Sequence, residues 1–326
     1  MLFSASSAAL WLACSIGLVA ADSTVDENGI KSIPLRTHNL ATPYLDSAMQ
    51  SRWWDFGGNT IVRADQYVRL SSDRPSQEGW LFSRVPLTAT NWEIEVEFKI
   101  HGSGNLHGDG FAMWLTKQRA TPGPVFGSVD AFNGLAIFFD TYKNNRPGTV
   151  FPYVMSMMGD GHAIYDKAND GKDNEFMGCS ARGIRNANIP TKARLTYFQD
   201  KELRLELQYR QEGQWELCFE TNDPPMLPSV AYLGFSAETG ELSDNHDIIS
   251  VQTKNLYNTN RGDNGRPSSP GMEKGRKAGK DRNHAPKSEG SWSWFLFKIF
   301  MFFAVIGGGY VGYTAWRAQQ KRSHRF

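Results

Sequence analysis

Residues 92–100, WEIEVEFKI, carry the pattern that decides the fold class. Large apolar side chains alternate there with charged ones, which is typical of a β-strand with one solvated face. Residues 135–139, LAIFF, are instead continuously apolar, as in a strand that is covered on both faces. Both runs predict strands that contribute to the core of a β-sheet protein.

The same character extends over residues 29–258. A second alternation at 203–209 follows a short turn at Gln199–Lys201, which predicts a β-hairpin. Turn-forming residues recur throughout, and no long amphipathic helical pattern interrupts them. About 230 residues of short strands predict one all-β domain, a large sandwich of antiparallel sheets.

The two ends of the chain indicate a membrane-anchored protein of the secretory pathway. An apolar run that ends in Val19-Ala20-Ala21 predicts a cleaved signal peptide over residues 1–21. Residues 292–316 contain a single charged residue, Lys298, and are long enough for one transmembrane helix. With one such span after a cleaved signal peptide, the basic tail 317–326 would be cytosolic, in line with the positive-inside bias. A buried core helix is the alternative for residues 292–316.

Basic residues are concentrated between the predicted domain and the predicted span. The net charge is only +1, but residues 259–291 are rich in Lys, Arg, Gly, Pro and Ser. Such a segment buries too little apolar surface to fold, so we predict a flexible basic stalk. A basic run can bind nucleic acid, but the luminal location argues against that partner, and we expect none.

The cysteine count agrees with an oxidising compartment. Of three cysteines, Cys14 would leave with the signal peptide, and Cys179 and Cys218 would remain. A pair of cysteines in the secretory lumen predicts a disulfide. Two free buried thiols are the alternative.

Oxygen-bearing side chains recur in three glycine-marked stretches: Asp109 in HGDG, Asp140 and Asn144 in FFDTYKN, and Asp170 in NDG. A hard cation such as Ca²⁺ takes about six to eight oxygens from carboxylates, amides and carbonyls. Asp140, Asn144 and Asp170 offer side-chain oxygens, and Tyr142 offers its carbonyl. Asp109 and Asn144 would stay partly free for a hydroxyl-rich ligand. The hypothesis is a calcium-organised sugar site; the alternative is that Asp140 and Asn144 only close a turn.

Several stretches carry a family resemblance. They include WDFGGNT (54–60), FKIHGSGNLHGDGFAMW (98–114), GLAIFFDTYKN (134–144), IYDKANDG (164–171) and GELSDNHDIIS (240–250). With them the chain resembles the L-type (legume-lectin-like) cargo receptors of the early secretory pathway, in the vesicular integral membrane protein branch, and a fungal source is expected. The resemblance implies a concanavalin-like sandwich, a luminal domain over residues 29–258, and Ca²⁺-dependent recognition of high-mannose N-glycans without enzymatic activity.

The resemblance also implies roles for individual residues. Ca²⁺ would be held by Asp140, the Tyr142 carbonyl, Asn144 and Asp170. The sugar would be met by residues of five stretches, namely Ser83, Asp109, Asn144, Lys167 and the loop Gly240-Glu241-Leu242. The peptide bond before Asp109 would be cis.

A cellular itinerary follows from the same resemblance. It implies a single-pass type I membrane protein of the endoplasmic reticulum, the ER–Golgi intermediate compartment and the Golgi, which carries or sorts high-mannose glycoproteins. Coat proteins would contact its tail, whose terminal Phe326 resembles the aromatic export signals of the family.

Two positions depart from the family pattern. Lys167 stands where the family has histidine, and Glu241 stands where it has aspartate. Lysine offers three donors and no acceptor, whereas a neutral histidine can accept at one nitrogen. A cargo adapter of the same fold whose sugar site has decayed is therefore the first alternative.

A glycoside hydrolase is the second alternative. Glu93, Glu95 and Glu97 share one strand face, as in the carboxylate strand of some β-glucanases with a concanavalin-like fold. A retaining mechanism would require two of these carboxyl groups about 5–5.5 Å apart in a cleft. The charged residues around them instead continue the alternation of a solvated face.

Overall fold

The computed structural model describes residues 24–25 and 29–258, in which strands and short connections make up the chain. The strands are β1 (Thr24–Val25), β2 (Ile30–Pro34), β3 (Trp54–Gly58), β4 (Ile61–Arg63), β5 (Tyr67–Ser71), β6 (Glu78–Ser83), β7 (Asn91–His101), β8 (Gly110–Thr116), β9 (Asn133–Asp140), β10 (Tyr153–Asp160), β11 (Glu175–Ser180), β12 (Thr191–Phe198), β13 (Glu202–Gln208), β14 (Glu216–Thr221), β15 (Tyr232–Glu238) and β16 (Asn245–Asn258). Short 3-10 helices lie at Arg36–His38, Lys167–Asn169 and Lys172–Asn174.

The strands form two sheets. One has nine strands, with β1, β2, β16, β7, β12, β13 and β14 in that order; β5 also pairs with β16, and β4 pairs with β5. The other has seven strands in the order β11, β10, β9, β8, β15, β6 and β3. All of these strands pair antiparallel. The predicted all-β fold is confirmed.

Local sequence patterns explain the two layers. The alternation in β7 buries Ile94, Val96 and Phe98 against the second sheet, while its glutamates face outward. The Phe98 and Phe139 ring centroids lie 5.0 Å apart across the sandwich. Burial of these apolar side chains provides the main favourable free energy of folding.

Strand β9 is buried on both faces, as its continuous apolar run predicts. Leu135, Ile137 and Phe139 enter the core between the sheets. Ala136 and Phe138 enter a second core under the connections that carry Phe126 and Tyr165. This second core supports the connections that cover the outer face of the seven-stranded sheet.

The disulfide between Cys179 and Cys218 is confirmed. It joins edge strand β11 of one sheet to edge strand β14 of the other, across a sequence separation of 39. The bond therefore fastens the two sheets together along one side of the sandwich.

Four sequence predictions lie outside the described residues: the signal peptide, the basic stalk at 259–291, the transmembrane helix at 292–316 and the tail at 317–326. Within residues 24–25 and 29–258, no helix has the length and hydropathy needed to cross a bilayer.

Candidate functional site

Three neighbouring strands bring the candidate residues to one end of the seven-stranded sheet. Gly110, at the start of β8, pairs with Asp140, at the end of β9, and with Glu238, at the end of β15. The peptide bond between Gly108 and Asp109 is cis, as the resemblance implies. The Thr141 amide donates to the Asp109 carbonyl at 2.9 Å, which connects the loops before β8 and after β9.

A pocket of about 70 Å³ lies at this end. It is lined by residues from five segments, namely Asp109, Pro124, Phe126, Asp140, Tyr142, Asn144, Tyr165, Lys167 and Glu238. The structure thus brings five of the predicted site residues around one pocket, although they are spread over residues 109–167. They are Asp109, Asp140, Tyr142, Asn144 and Lys167.

A tight turn places Asp170 beside the pocket. The 3-10 helix Lys167–Asn169 ends in Asp170, whose φ of 53° is left-handed, and Gly171 follows in the same region. The turn directs the Asp170 carboxylate to the loop after β9. There the Asn144 amide nitrogen donates to both carboxylate oxygens at 3.1 Å, and its side-chain nitrogen donates at 2.6 Å.

Burial makes the carboxylates of this site electrostatically unfavourable on their own. Asp140 is 6% exposed, and one oxygen accepts from the Tyr142 amide at 3.0 Å. Burial raises the pKa of Asp140 well above its ordinary range, and the charges of Asp170 and Asp109 raise it further. Burial also raises the pKa of Asp109, against the effect of Lys167. Such a group of acids is stabilised by a bound cation.

The chemistry of these donors fits a hard cation. Asp140 and Asp170 provide carboxylates, Asn144 an amide, and Tyr142 a carbonyl, the ligand types that Ca²⁺ prefers. Within the described part of the chain, no group of three or more His, Cys, Asp or Glu side chains is placed to hold a metal ion. The predicted set therefore depends on its amide and carbonyl as well as on its two acids.

Arg146 stabilises the turn that carries Asp170. The residue is 5% exposed, and its guanidinium donates to the Asp170 carbonyl at 3.1 Å. It also pairs with Glu175 and lies 4.4 Å from the ring centroid of Tyr153. These contacts hold the backbone of Asp170, while its carboxylate accepts hydrogen bonds from Asn144.

The loop Gly240-Glu241-Leu242 lies next to Asp109. A Cβ atom at Gly240 would lie 3.4 Å from the Asp109 carboxylate. Hydrogen bonds fix both flanks of this loop: the Ser76 amide donates to the Gly240 carbonyl at 2.9 Å, and Arg185 holds the buried Asp244 carboxylate through two contacts of 2.8 Å. A rigid loop can present its backbone groups to a ligand at low entropic cost.

The structure does not bring Ser83 to the pocket with the other predicted sugar contacts. This serine is completely buried, and its hydroxyl accepts from the Leu233 amide at 3.2 Å. Strand β6 begins at Glu78, which pairs with the pocket residue Glu238, and Ser83 lies at its other end. At 3.3 Å per residue, Ser83 is therefore roughly 17 Å from the pocket.

The serine beside the Gly240–Leu242 loop is Ser76, which sequence reasoning missed. It is exposed and lies in the turn before β6. The signal that favours it is its position after Pro75 in a polar, turn-forming stretch, whereas Ser83 follows two apolar strand residues.

The glutamates of β7 do not line a cleft. Glu93 pairs with Lys254 at 2.9 Å, and Glu95 pairs with Lys192 at 3.2 Å and with Arg194 at 3.1 Å on neighbouring strands. These ion pairs form a solvated face of the nine-stranded sheet. The arrangement has no acid and base on opposite sides of a substrate position.

A two-sheet antiparallel sandwich with an acidic, loop-built pocket at one end defines a legume-lectin-type domain. The chain belongs to the legume-like lectin family, whose model matches residues 31–263. The resemblance identified in the sequence is therefore confirmed. The homologues are lectins and not enzymes, so the hydrolase alternative is wrong.

Individual relatives agree with the family. The L-type lectin-like domain-containing protein C126.08c of Schizosaccharomyces pombe is 38% identical over 290 residues, 88% of this chain and 89% of that protein. The vesicular integral-membrane protein VIP36 of Homo sapiens is 36% identical over 330 residues, 97% of this chain and 91% of that protein.

Solved structures agree as well. The Ca²⁺-bound VIP36 exoplasmic/lumenal domain is 42% identical, with a TM-score of 0.65 over 69% of this chain and 92% of that one. A legume lectin-like domain from Entamoeba histolytica, 19% identical with a TM-score of 0.55 over 67% of this chain and 97% of that one, shares the fold.

Proposed function

We propose that this protein is a membrane-anchored luminal lectin that binds high-mannose N-glycans of glycoprotein cargo in a calcium-dependent way. The observation that carries the proposal is the convergence of Asp109, Asp140 and Asn144 around one small pocket, with the Asp170 carboxylate hydrogen-bonded to Asn144. Relatives support it, since the VIP36 lumenal domain has been crystallised with Ca²⁺ and with mannose-containing ligands.

Four residues would hold the calcium ion: Asp140, Asn144, Asp170 and, through its carbonyl, Tyr142. When bound, Ca²⁺ supplies the positive charge that offsets repulsion between the buried carboxylates. Asn144 already binds Asp170 through its nitrogen atoms, so its amide oxygen is the atom that remains for the ion or for a sugar hydroxyl.

The sugar would lie between Asp109 and the Gly240–Leu242 loop. Asp109 would accept hydrogen bonds from sugar hydroxyls, Lys167 would donate, and Glu241 and Leu242 would contribute from the loop. Ser76 takes the place predicted for Ser83, because it holds Gly240 and is exposed at this end. Net affinity for one sugar would be modest, since each contact replaces a hydrogen bond to water.

The cellular setting is part of the proposal. A signal peptide at 1–21, a stalk at 259–291, a span at 292–316 and a cytosolic tail at 317–326 would make a type I protein of the endoplasmic reticulum, intermediate compartment and Golgi. Relatives named vesicular integral-membrane proteins match 97% of the chain, which supports an anchor. Coat proteins would bind the tail, and clustering in the membrane would raise the avidity for cargo.

The decisive experiment uses the full-length protein in detergent on a glycan array, with Ca²⁺ or with a chelator. We expect binding to high-mannose glycans that is lost without Ca²⁺ and in Asp109→Asn. An adapter with a decayed sugar site would bind no glycan in either condition while its fold, followed by circular dichroism, stays intact. Glycan binding that persists in chelator would remove the metal from the proposal.

A further inference from the structure

An ion pair closes one side of the candidate sugar pocket. Lys167 Nζ donates to Glu238 Oε1 at 3.0 Å, and both residues line the pocket with Asp109. Lys167 begins the 3-10 helix that leads to Asp170, and Glu238 ends β15 just before the Gly240–Leu242 loop. The pair thus connects two segments. One is the turn that carries the proposed metal ligand Asp170, and the other is the end of β15, which precedes the Gly240–Leu242 loop.

Stability does not account for this pair. The Lys167 and Glu238 side chains are 53% and 24% exposed, and exposed ion pairs contribute only about 0–1 kcal/mol. By contrast, the pair of Arg185 and Asp244 near the same loop is 13% and 0% exposed and holds backbone in place. The exposed pair is positioned to meet a ligand.

The hydrogen-bonding capacity of the pair matches neighbouring hydroxyl groups. An ammonium has three donors, and one of them is used on Glu238, so two remain for a ligand. A carboxylate accepts at two oxygens, and Glu238 contributes only Oε1 to Lys167. Because the Glu238 carbonyl also accepts from the Asp109 amide at 3.3 Å, the pair has a fixed place relative to Asp109.

The pair also lies beside Asp109, on whose carboxylate the charges of Lys167 and Glu238 act with opposite signs. In the structure the Lys167 ammonium donates to Glu238, so its charge has a carboxylate partner next to the predicted sugar contact Asp109. We propose that Glu238 and Lys167 act as one unit that determines the sugar specificity of this pocket by binding two adjacent hydroxyl groups of the ligand. This inference rests on the proposed lectin function.

The test measures binding of a mannose disaccharide to the full-length protein in detergent at saturating Ca²⁺. Glu238→Gln removes the charge at nearly constant shape, and we expect about a tenfold loss of affinity, as for one charged hydrogen bond. Lys167→Gln should give a similar loss. The double variant should lose clearly less affinity than the two single losses combined, since residues that act as a unit are not additive.

A matched control is available on the outer face of the nine-stranded sheet. Glu93 and Lys254 form a pair of 2.9 Å whose side chains are 21% and 34% exposed, so Glu93→Gln removes the same charge from a comparable pair outside the pocket. We expect wild-type affinity for this variant. Melting temperatures of all variants should stay close to that of the wild type.

Monodeoxy analogues of the disaccharide separate ligand contact from a structural role. At least one analogue should bind the wild type weakly and be insensitive to Glu238→Gln, because the missing hydroxyl is the one that meets the pair. A loss that is uniform over all analogues would overturn the inference. So would wild-type affinity in Glu238→Gln when the wild type itself binds and Asp109→Asn does not. If the wild type binds no mannose disaccharide, the proposed function fails together with the inference.

Discussion

The two ends of the seven-stranded sheet have opposite character, although the same strands build both. Strand β9 runs from Asn133 at one end to Asp140 at the other, roughly 23 Å at 3.3 Å per residue. At the Asp140 end lies the pocket of about 70 Å³; at the Asn133 end lies an open cleft of about 670 Å³, lined in part by Trp92, Tyr197 and Met226. Size alone would select the Asn133 end, away from the predicted site residues.

Two aspartates at the ends of neighbouring strands, Asp140 and Asp160, show how the environments at the two ends differ. Asp140 ends β9 in a buried environment, where burial raises its pKa well above the ordinary value. Asp160 ends β10 in solvent beside the large cleft, where hydrogen bonds from the Ala163 and His162 amides lower its pKa. Asp160 completes an ordinary turn, whereas Asp140 is maintained against a desolvation penalty. Such a penalty, rather than volume, favours the Asp140 end as the candidate site.

The largest expected effect tests this contrast directly. We expect Ca²⁺ to raise the melting temperature of the wild type. Asp140→Ala should abolish that increase and weaken mannose binding more than a hundredfold, because the proposed calcium site loses a buried carboxylate. Asp160→Ala, the matched change at the other end, should retain both. Thermal melts with and without Ca²⁺ and calorimetric titration with a mannose disaccharide measure the two effects. Equal behaviour of the two variants would contradict the contrast.

Sequence reasoning reached different depths in different places. The strands β7 and β9 could be predicted because a period of two residues, or a continuous apolar run, is a local consequence of which faces are buried. Asp140 and Asn144 could be proposed because they lie within one short motif. In each case, the decisive information lies within a few residues of chain.

The sequence does not reveal which end of a strand lies beside the pocket. The family resemblance implies a sugar contact for Ser83, but Ser83 lies at the far end of the six-residue strand β6, and Ser76 lies beside the Gly240–Leu242 loop instead. The ion pair of Lys167 and Glu238 joins positions 71 residues apart, which no local pattern reveals. Both points required the strand register, which places Glu238 opposite Gly110.

Removal of the disulfide should affect the stability of both ends and the ligand affinity of neither. Cys179 lies beside Ser180, which pairs with Tyr153 near the Asp140 end, and its loop to Cys218 spans 39 positions. On the chain-entropy account, replacing both cysteines by serine should reduce the free energy of unfolding by about 4 kcal/mol. Denaturant unfolding measures that loss. We expect the Ca²⁺-induced shift in melting temperature to persist; its disappearance would mean that the bond positions the site.

A buried histidine at the Asp140 end should make stability depend on pH. His246 is completely buried, and burial lowers its pKa to about 3; His101 and Arg185 act in the same direction, against Asp247 and Asp73. Between about pH 6.5 and pH 3, His246 is therefore protonated in the unfolded protein and neutral in the folded protein. Stability should fall as the pH falls through this window, by up to about 1.4 kcal/mol per pH unit.

The histidine effect is isolated by comparing variants. His246→Asn retains a partner for the Ser71 hydroxyl, which lies 2.7 Å from His246 Nδ1, and should remove this part of the pH dependence. His162→Asn changes an exposed histidine beside Asp160 at the other end and should leave the dependence unchanged. Denaturant unfolding at several pH values gives the slopes. Parallel curves for wild type and His246→Asn would exclude His246 as their cause.

The smallest effect is expected at the rim of the large cleft. Met226 is 80% exposed there, whereas Trp92 and Tyr197 beneath it are 3% and 4% exposed and stack on each other with ring centroids 5.4 Å apart. Because the cleft floor is already packed core, Met226→Ser should change the free energy of unfolding by less than about 0.5 kcal/mol. Mannose affinity and the Ca²⁺ shift should equal those of the wild type. A weaker mannose affinity in Met226→Ser would show that the cleft takes part in glycan binding and that the two ends do not act independently.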